Sequence, residues 1–85
     1  MQKKIKIYST EHCPYCIRAK NFFKDKGLVY EDIDLTNQFD EIDAMKEKTG
    51  HRTVPMIFVG EEFIGGYTDL IEKIQSKTLD FFTQS

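Results

Sequence analysis

The chain has 85 residues, of which 40% are hydrophobic and 31% charged, with a formal net charge of -2 at pH 7. A chain of this length can bury one small core, so we interpret residues 1–85 as a single domain. The 12 basic residues are scattered along the chain, which excludes a typical nucleic-acid surface. No apolar run is long enough for a membrane span or a signal peptide, so we expect a cytoplasmic protein that binds neither nucleic acid nor membrane.

The first third of the chain predicts a strand, a helix and a second strand. Polar and apolar residues alternate over residues 4–8 at the period of a strand. Apolar residues then recur at helical spacing over residues 16–23, and Gly27 ends this helix. Alternation returns over residues 28–35, with Val29 on the apolar face. A strand, helix and strand in this order predict two parallel strands.

A second helix and a hairpin are predicted next. Apolar residues mark a helix over residues 39–49, which Gly50 stops. Two apolar runs, 55–59 and 62–64, flank Gly60-Glu61, a pattern typical of two antiparallel strands joined by a tight turn. These strands would complete a four-stranded mixed sheet.

The last predicted helix follows Gly65-Gly66. Thr68 or Asp69 is its predicted N-cap, because Asp69 and the glutamate three residues later form a capping-box pattern. Residues 78–85 predict a short helical tail. The complete pattern is that of an α/β fold with three main helices.

The two cysteines, Cys13 and Cys16, are the main functional signal. A disulfide between them would close a very small ring and add little stability, so the pair indicates redox chemistry rather than a structural cross-link. Cys13 falls at the predicted entrance of the first helix, where free N–H groups and the helix dipole favour an anion, and Pro14 suits the first helical turn. We therefore expect Cys13 to be an exposed, thiolate-prone nucleophile and Cys16 a partly buried, less acidic resolving thiol.

Other uses of a cysteine pair remain open at this point. A zinc site normally needs four ligands, and the chain adds only His12 and His51 to the two thiols. An iron–sulfur site would need further thiolates from another molecule. Two unrelated reduced cysteines are the remaining alternative.

Three motifs together resemble those of dithiol glutaredoxins. They are Cys13-Pro14-Tyr15-Cys16, Thr53-Val54-Pro55 and Gly65-Gly66-Tyr67-Thr68-Asp69-Leu70. The resemblance covers nearly the whole chain and implies a thioredoxin-like fold, a four-stranded mixed β-sheet flanked by three α-helices. It also implies that glutathione is the cofactor and reductant. We expect no metal and a monomeric protein.

The resemblance assigns Cys13 and Cys16 as catalytic and places the glutathione contacts on two later segments. It implies a cis peptide bond before Pro55, which would leave the Val54 backbone free to pair with the cysteine of glutathione. It also implies that Asp69 accepts the γ-glutamyl ammonium while exposed N–H groups near Thr68 bind the γ-glutamyl carboxylate. The full set of predicted glutathione-binding residues is Tyr15, Arg52, Thr53, Val54, Pro55, Gly66, Tyr67, Thr68 and Asp69.

The chain departs from the family pattern where the glycine carboxylate of glutathione would bind. Many glutaredoxins have a lysine at the position of Thr10 and a basic residue or glutamine at that of Ile42. Arg52 is the nearest cation in sequence to the predicted groove, and Lys46, one helical turn beyond Ile42, is the fallback. No role is assigned to His51, and His12 is interpreted as a solvated side chain.

The predicted activity is glutathione-dependent reduction of protein–glutathione mixed disulfides and of protein or small-molecule disulfides. The partners would be glutathione and disulfide-containing or glutathionylated proteins. The alternative is a dedicated dithiol electron donor to one partner, such as ribonucleotide reductase, or an iron–sulfur binding module. The predicted glutathione site favours the enzyme, because a donor reduced by thioredoxin reductase would not need that site.

Overall fold

Four strands and three helices form within the residues that the computed structural model describes, namely 2–11, 13–51, 53–77, 79 and 81. None of the helices in these ranges is both long and apolar enough to cross a membrane. The elements are β1 (Ile5–Ser9), α1 (Pro14–Asp25), β2 (Glu31–Asp34), α2 (Phe39–Thr49), β3 (Met56–Val59), β4 (Glu62–Gly65) and α3 (Tyr67–Gln75).

The strands form one mixed sheet in the order β2-β1-β3-β4. β1 pairs with β2 in parallel and with β3 in antiparallel, and β3 and β4 form the predicted antiparallel hairpin. In the centre of the sheet, Ile7 lies opposite Asp32 on one side and Ile57 on the other. The predicted mixed sheet of four strands with three helices is therefore confirmed.

The core lies between the sheet and the helices α1 and α3. Its largest side chain is Phe23 of α1, which is fully buried, and Leu70 of α3 is buried beside it in the same cluster. The central strands contribute Ile5, Ile7 and Ile57. Burying each such side chain stabilises the fold by roughly 1.5–3 kcal/mol. By contrast, α2 buries none of its residues.

The second strand is shorter than predicted. β2 begins at Glu31, and Val29, predicted on its apolar face, is 76% exposed. The residues before Glu31 do not pair with β1, because the Gln2 side chain hydrogen-bonds to the Val29 backbone in place of a strand. The Gln2 amide donates to the Val29 carbonyl at 2.6 Å and accepts from its N–H at 2.9 Å. The sequence pattern alone does not predict these two hydrogen bonds between a side chain and a distant backbone.

The predicted N-cap of the third helix is wrong. α3 begins at Tyr67, so Gly66 is the N-cap and Asp69 is the third helical residue. Asp69 reaches back, and its Oδ2 accepts the Gly66 N–H at 2.9 Å. Of the predicted helical tail, only Leu79 and Phe81 are described; both pack against the core, and the other residues of the tail lie outside the described ranges.

Candidate active site

Cys13 stands at the start of α1, directly after the loop that leaves β1. Its backbone is extended, with φ -116° and ψ 104°, and its side chain caps the helix. The Cys16 N–H donates to the Cys13 Sγ at 3.2 Å, and that sulfur lies 3.6 Å from the Val54 carbonyl oxygen. Pro14 follows as the first helical residue, as predicted. The sulfur of Cys13 therefore lies between an N–H donor of the first helical turn and a backbone carbonyl of a distant loop.

The expected exposure of Cys13 is not found. The residue is only 9% exposed, because its sulfur turns inward to the Cys16 N–H and the Val54 carbonyl. Cys13 nevertheless lines a surface cleft of about 370 Å³, described below as the α2 cleft.

Cys16 is completely buried one helical turn deeper, and both thiols are free. Burial raises the pKa of the Cys16 thiol to about 12, and its contact with the Cys13 side chain adds to the rise. The Thr10 N–H and the Lys20 ammonium act in the opposite direction. The prediction of a less acidic second thiol is confirmed, and its burial is more complete than expected.

The loop before β3 lies against Cys13. The Val54–Pro55 peptide bond is cis, as the resemblance implied. Pro55 is buried, whereas Thr53 is exposed and Val54 is half-buried. This loop therefore presents its residues to solvent beside the thiol, while Pro55 anchors it to the sheet.

A cleft of about 340 Å³, which we call the α3 cleft, opens beside this loop. It brings together eight of the nine residues predicted to bind glutathione, and a histidine joins them. Its lining residues are Tyr15, His51, Thr53, Val54, Pro55, Gly66, Tyr67, Thr68 and Asp69. The ninth predicted residue, Arg52, lies outside the described residues.

The glycines before α3 let this cleft form. Gly65 has a φ of +114°, and a Cβ there would lie 2.5 Å from the Asp69 Oδ2. A Cβ on Gly66 would lie 3.3 Å from the His51 Nε2. The first position needs glycine for both backbone conformation and space, because side chains rarely adopt this φ. The pair thus permits Asp69 to approach the backbone and His51 to pack over it.

A second cleft of about 370 Å³, the α2 cleft, is also lined by this loop. Thr53 and Val54 line both clefts, so the two clefts adjoin at this loop. The lining residues of the α2 cleft are Thr10, Cys13, Pro14, Ile42, Lys46, Thr53 and Val54. Its cation is Lys46, which is half-buried, and within the described ranges no carboxylate forms an ion pair with it.

Two side chains in these clefts were missed or undervalued by the sequence interpretation. His51 was given no role, yet it lines the α3 cleft. Lys46 was only a fallback, yet it shares the α2 cleft with Cys13. The spacing of Lys46 from Ile42, one helical turn, was the available signal; for His51 the only signal was its closeness to Thr53 in sequence. His12, interpreted as a solvated side chain, lies outside the described residues.

Tyr15 forms part of the rim of the α3 cleft. It is 52% exposed, its ring centroid lies 6.3 Å from that of Tyr67, and the Arg18 guanidinium lies 5.4 Å from its ring centroid. Such contacts hold an exposed ring in one orientation. Among the described residues, no group of three or more His, Cys, Asp or Glu side chains is arranged to hold a metal ion.

Comparison with known proteins yields one family. The glutaredoxin family model matches residues 5–64. The chain is 38% identical over 76 residues to glutaredoxin 1 of Rickettsia typhi, covering 87% of this chain and 73% of that protein. It is 36% identical over 66 residues to glutaredoxin 3 of Escherichia coli K12, covering 78% and 80%.

Solved structures give the same result. The buckwheat glutaredoxin–glutathione complex matches with a TM-score of 0.82 and 33% identity, over 88% of this chain and 71% of that one. The solution structure of glutaredoxin from Brucella melitensis matches with a TM-score of 0.79 and 34% identity, over 93% and 86%. The predicted thioredoxin-like fold is therefore confirmed.

Proposed function

The chain belongs to the glutaredoxin family of glutathione-dependent thiol oxidoreductases, and we propose that it is a dithiol member that reduces protein–glutathione mixed disulfides and other disulfides through Cys13 and Cys16. One observation carries the proposal. Cys13 lines the α2 cleft together with the Lys46 ammonium, and this cleft shares Thr53 and Val54 with the α3 cleft, which contains the Asp69 carboxylate.

This charge distribution matches extended glutathione. The tripeptide has an ammonium and a carboxylate at its γ-glutamyl end and a second carboxylate on its glycine. In the α3 cleft, Asp69 uses Oδ2 for the Gly66 N–H, which leaves Oδ1 for the ligand ammonium. The first helical hydrogen bond of α3 runs from the Leu70 N–H to the Gly66 carbonyl, so the three preceding N–H groups can serve the γ-glutamyl carboxylate.

The middle of the tripeptide would pair with the loop. Val54 lies between the two clefts and is the residue whose carbonyl faces the Cys13 sulfur. An extended peptide laid along this loop can pair with the Val54 backbone, which sets its cysteine sulfur next to that of Cys13. Glutathione held in this way is positioned for sulfur exchange before any bond changes.

The glycine carboxylate would be bound by Lys46. This lysine shares the α2 cleft with Thr10 and Ile42, the two positions at which the chain lacks the polar residue of its relatives. A long lysine side chain on the next helical turn can supply the missing charge at the same end of the groove. The role of Arg52 as a second cation for the glycine carboxylate stays a prediction.

The chemistry proceeds by two exchanges at Cys13. The Cys13 thiolate attacks the glutathione sulfur of a mixed disulfide, which releases the protein thiol and leaves glutathione bonded to Cys13. A second glutathione thiolate then attacks the glutathione sulfur of this adduct, giving glutathione disulfide and restoring the Cys13 thiolate. In the net reaction one free glutathione takes the place of the protein thiol in the disulfide: the protein sulfur is reduced, the sulfur of the incoming glutathione is oxidised, and both glutathiones leave as glutathione disulfide.

Cys16 would take part only when the adduct on Cys13 is a poor target for glutathione. With a pKa of about 12 it is a protonated thiol at neutral pH, and a protonated thiol is a weak nucleophile. It must transfer its proton before it attacks the Cys13 sulfur, which releases the bound thiol and forms the Cys13–Cys16 disulfide. Two glutathione molecules then reduce that disulfide.

The test compares two serine variants in a glutathione–glutathione reductase coupled assay. Cys16→Ser should retain reduction of a peptide–glutathione mixed disulfide, because that reaction needs only Cys13. It should lose most activity towards a protein disulfide that requires the internal disulfide. Cys13→Ser should abolish both reactions, and circular dichroism serves as the control for folding.

Equal loss of mixed-disulfide activity in the two variants would contradict the proposed roles of the thiols. Wild-type protein that reduces a protein disulfide but shows no dependence on glutathione would instead favour a dedicated electron donor. These two results are independent, so the assay separates the roles of the cysteines from the identity of the reductant.

A further inference from the structure

His51 is a titratable side chain in the α3 cleft for which the exchange chemistry above has no use. Its ring packs edge-to-face on Phe63, with centroids 5.7 Å apart, and its backbone N–H donates to the Thr49 Oγ1 at 3.1 Å. On the cleft side, its Nε2 lies 3.3 Å from the Thr53 Oγ1 and lies over Gly66. The ring is therefore held on three sides, with its Nε2 edge at the cleft.

The contact between His51 and Thr53 depends on the charge of the ring. A neutral imidazole with an unprotonated Nε2 accepts the Thr53 hydroxyl proton, which then points away from the cleft. An imidazolium carries a proton on Nε2 and donates to the hydroxyl oxygen, which frees the Thr53 proton to donate elsewhere. From the neutral tautomer that carries its proton on Nδ1, protonation thus reverses the direction of the hydrogen bond.

The other groups around the ring determine what this reversal can do. Phe63 of β4 and Gly66 before α3 carry no charge, and Thr49 at the end of α2 offers only its hydroxyl. The titratable groups that line the same cleft are the Asp69 carboxylate and the hydroxyls of Tyr15 and Tyr67. Arg52, the next residue in sequence, lies outside the described ranges. Within the described part of the cleft, an imidazolium would be the cation opposite Asp69.

We propose that His51 is a positioning residue that makes the α3 cleft bind the γ-glutamyl head group more tightly at acidic pH. The imidazolium directs the Thr53 hydroxyl proton towards the ligand carboxylate and adds a positive charge beside it. Asp69 continues to bind the ligand ammonium, so both charges of the head group have a partner. The inference rests on the proposed function, because it takes glutathione as the ligand of this cleft.

The experiment measures the affinity of the full chain for S-methylglutathione by titration calorimetry at about pH 5.5 and about pH 8, on either side of the range in which histidine changes charge. This ligand has no free thiol, so it cannot exchange with Cys13. The variant His51→Gln keeps an amide next to Thr53 but does not titrate. Every other titrating group is present in both proteins. The ratio of their affinities at each pH therefore reports the effect of the His51 charge alone.

Wild type should bind about threefold to fivefold more tightly than His51→Gln at the acidic pH, the range expected for a partly exposed charged contact, and equally well at the basic pH. Thr53→Val keeps the shape of the side chain but removes the hydroxyl, so it should lose most of the pH response that distinguishes wild type. His51→Phe, which keeps ring packing on Phe63, should behave like His51→Gln.

An identical pH response in wild type and His51→Gln would overturn the inference while leaving the proposed function intact. A wild-type protein that binds S-methylglutathione at neither pH would overturn both. The pH dependence of the affinity could also survive in Thr53→Val and be lost in His51→Gln. That result would overturn the role of the Thr53 hydroxyl, and the imidazolium would then act on the ligand only through its charge.

Discussion

The α3 cleft contains the Asp69 carboxylate and the α2 cleft contains the Lys46 ammonium, but the two charges are held differently. Asp69 has a short side chain, accepts the Gly66 N–H and precedes Leu70, which is fully buried in the core. Lys46 has a long side chain on α2, a helix that buries none of its residues. The acidic end is therefore held by a hydrogen bond to the backbone, whereas the basic end depends on a long side chain on a helix without fully buried residues.

This difference predicts how each end responds to substitution. A fixed carboxylate loses little conformational entropy when a ligand binds, so removing it should cost most of its interaction energy. A lysine loses up to roughly 2 kcal/mol of side-chain entropy when it is immobilised, so its net contribution is smaller. Another cation can also replace it from a neighbouring position.

The largest effect should come from Gly65→Ala at the acidic end. Alanine would adopt a φ of +114° unfavourably, and its Cβ would displace the Asp69 carboxylate from the Gly66 N–H. We expect the free energy of unfolding to fall by about 3 kcal/mol, the sum of backbone strain and a lost hydrogen bond. Denaturant unfolding measures this value.

Gly27→Ala is the matched control, because Gly27 also has a positive φ but a Cβ there would meet nothing within 4 Å. It should cost only about 1–2 kcal/mol, the backbone strain alone. Equal losses in the two variants would show that the contact between Gly65 and Asp69 adds nothing to stability.

Asp69→Asn should have the next largest effect, this time on glutathione rather than on folding. The amide oxygen can still accept the Gly66 N–H, so the fold should survive, but the charge that binds the ligand ammonium is lost. We expect the KM for glutathione to rise about fivefold to tenfold, since a half-buried charged contact is worth about 1 kcal/mol or slightly more.

Glu72→Gln controls for the loss of one negative charge, because Glu72 lies on the same helix but is exposed and outside both clefts. It should leave the KM unchanged at moderate salt. If Asp69→Asn also left it unchanged, Asp69 would be only a structural residue of α3.

The smallest effect should come from Thr10→Lys at the basic end. Thr10 lines the α2 cleft with Lys46, so a lysine there would add a second cation for the glycine carboxylate. Glutathione should bind more tightly by about 0.5–1 kcal/mol, and the gain should shrink as salt is added. Affinities at two ionic strengths test this; an equal gain at both would exclude an electrostatic origin.

The sequence predicted the parts of the site that depend on backbone conformation. The cysteine motif, Pro55 and the glycine pair each restrict the backbone in a way that is local in sequence, so their positions could be inferred from short motifs. The parallel pairing of β1 with β2 and the hairpin of β3 and β4 followed in the same way from the crossover helix and the tight turn, whereas the pairing of β1 with β3 was not predicted. The family resemblance supplied the assignment of these segments to one groove.

The features that were missed depend on contacts between distant segments. Cys13 is almost buried because its sulfur faces Val54, 41 residues away along the chain. Val29 is exposed because Gln2 binds its backbone, and His51 reaches the cleft because Gly66 leaves room for it. Periodicity describes one segment at a time, so it contains no information on such contacts.

The most direct test of the account is a comparison of glutathione with its glycine monoethyl ester, which lacks the charge at one end. Affinities of the S-methyl forms of both ligands would be measured with wild type, Lys46→Gln and Asp69→Asn. If the tripeptide lies with its glycine in the α2 cleft, wild type and Asp69→Asn should prefer the free acid, and Lys46→Gln should lose most of that preference. An undiminished preference in Lys46→Gln, or one that is lost in Asp69→Asn, would contradict the proposed orientation of glutathione along the two clefts.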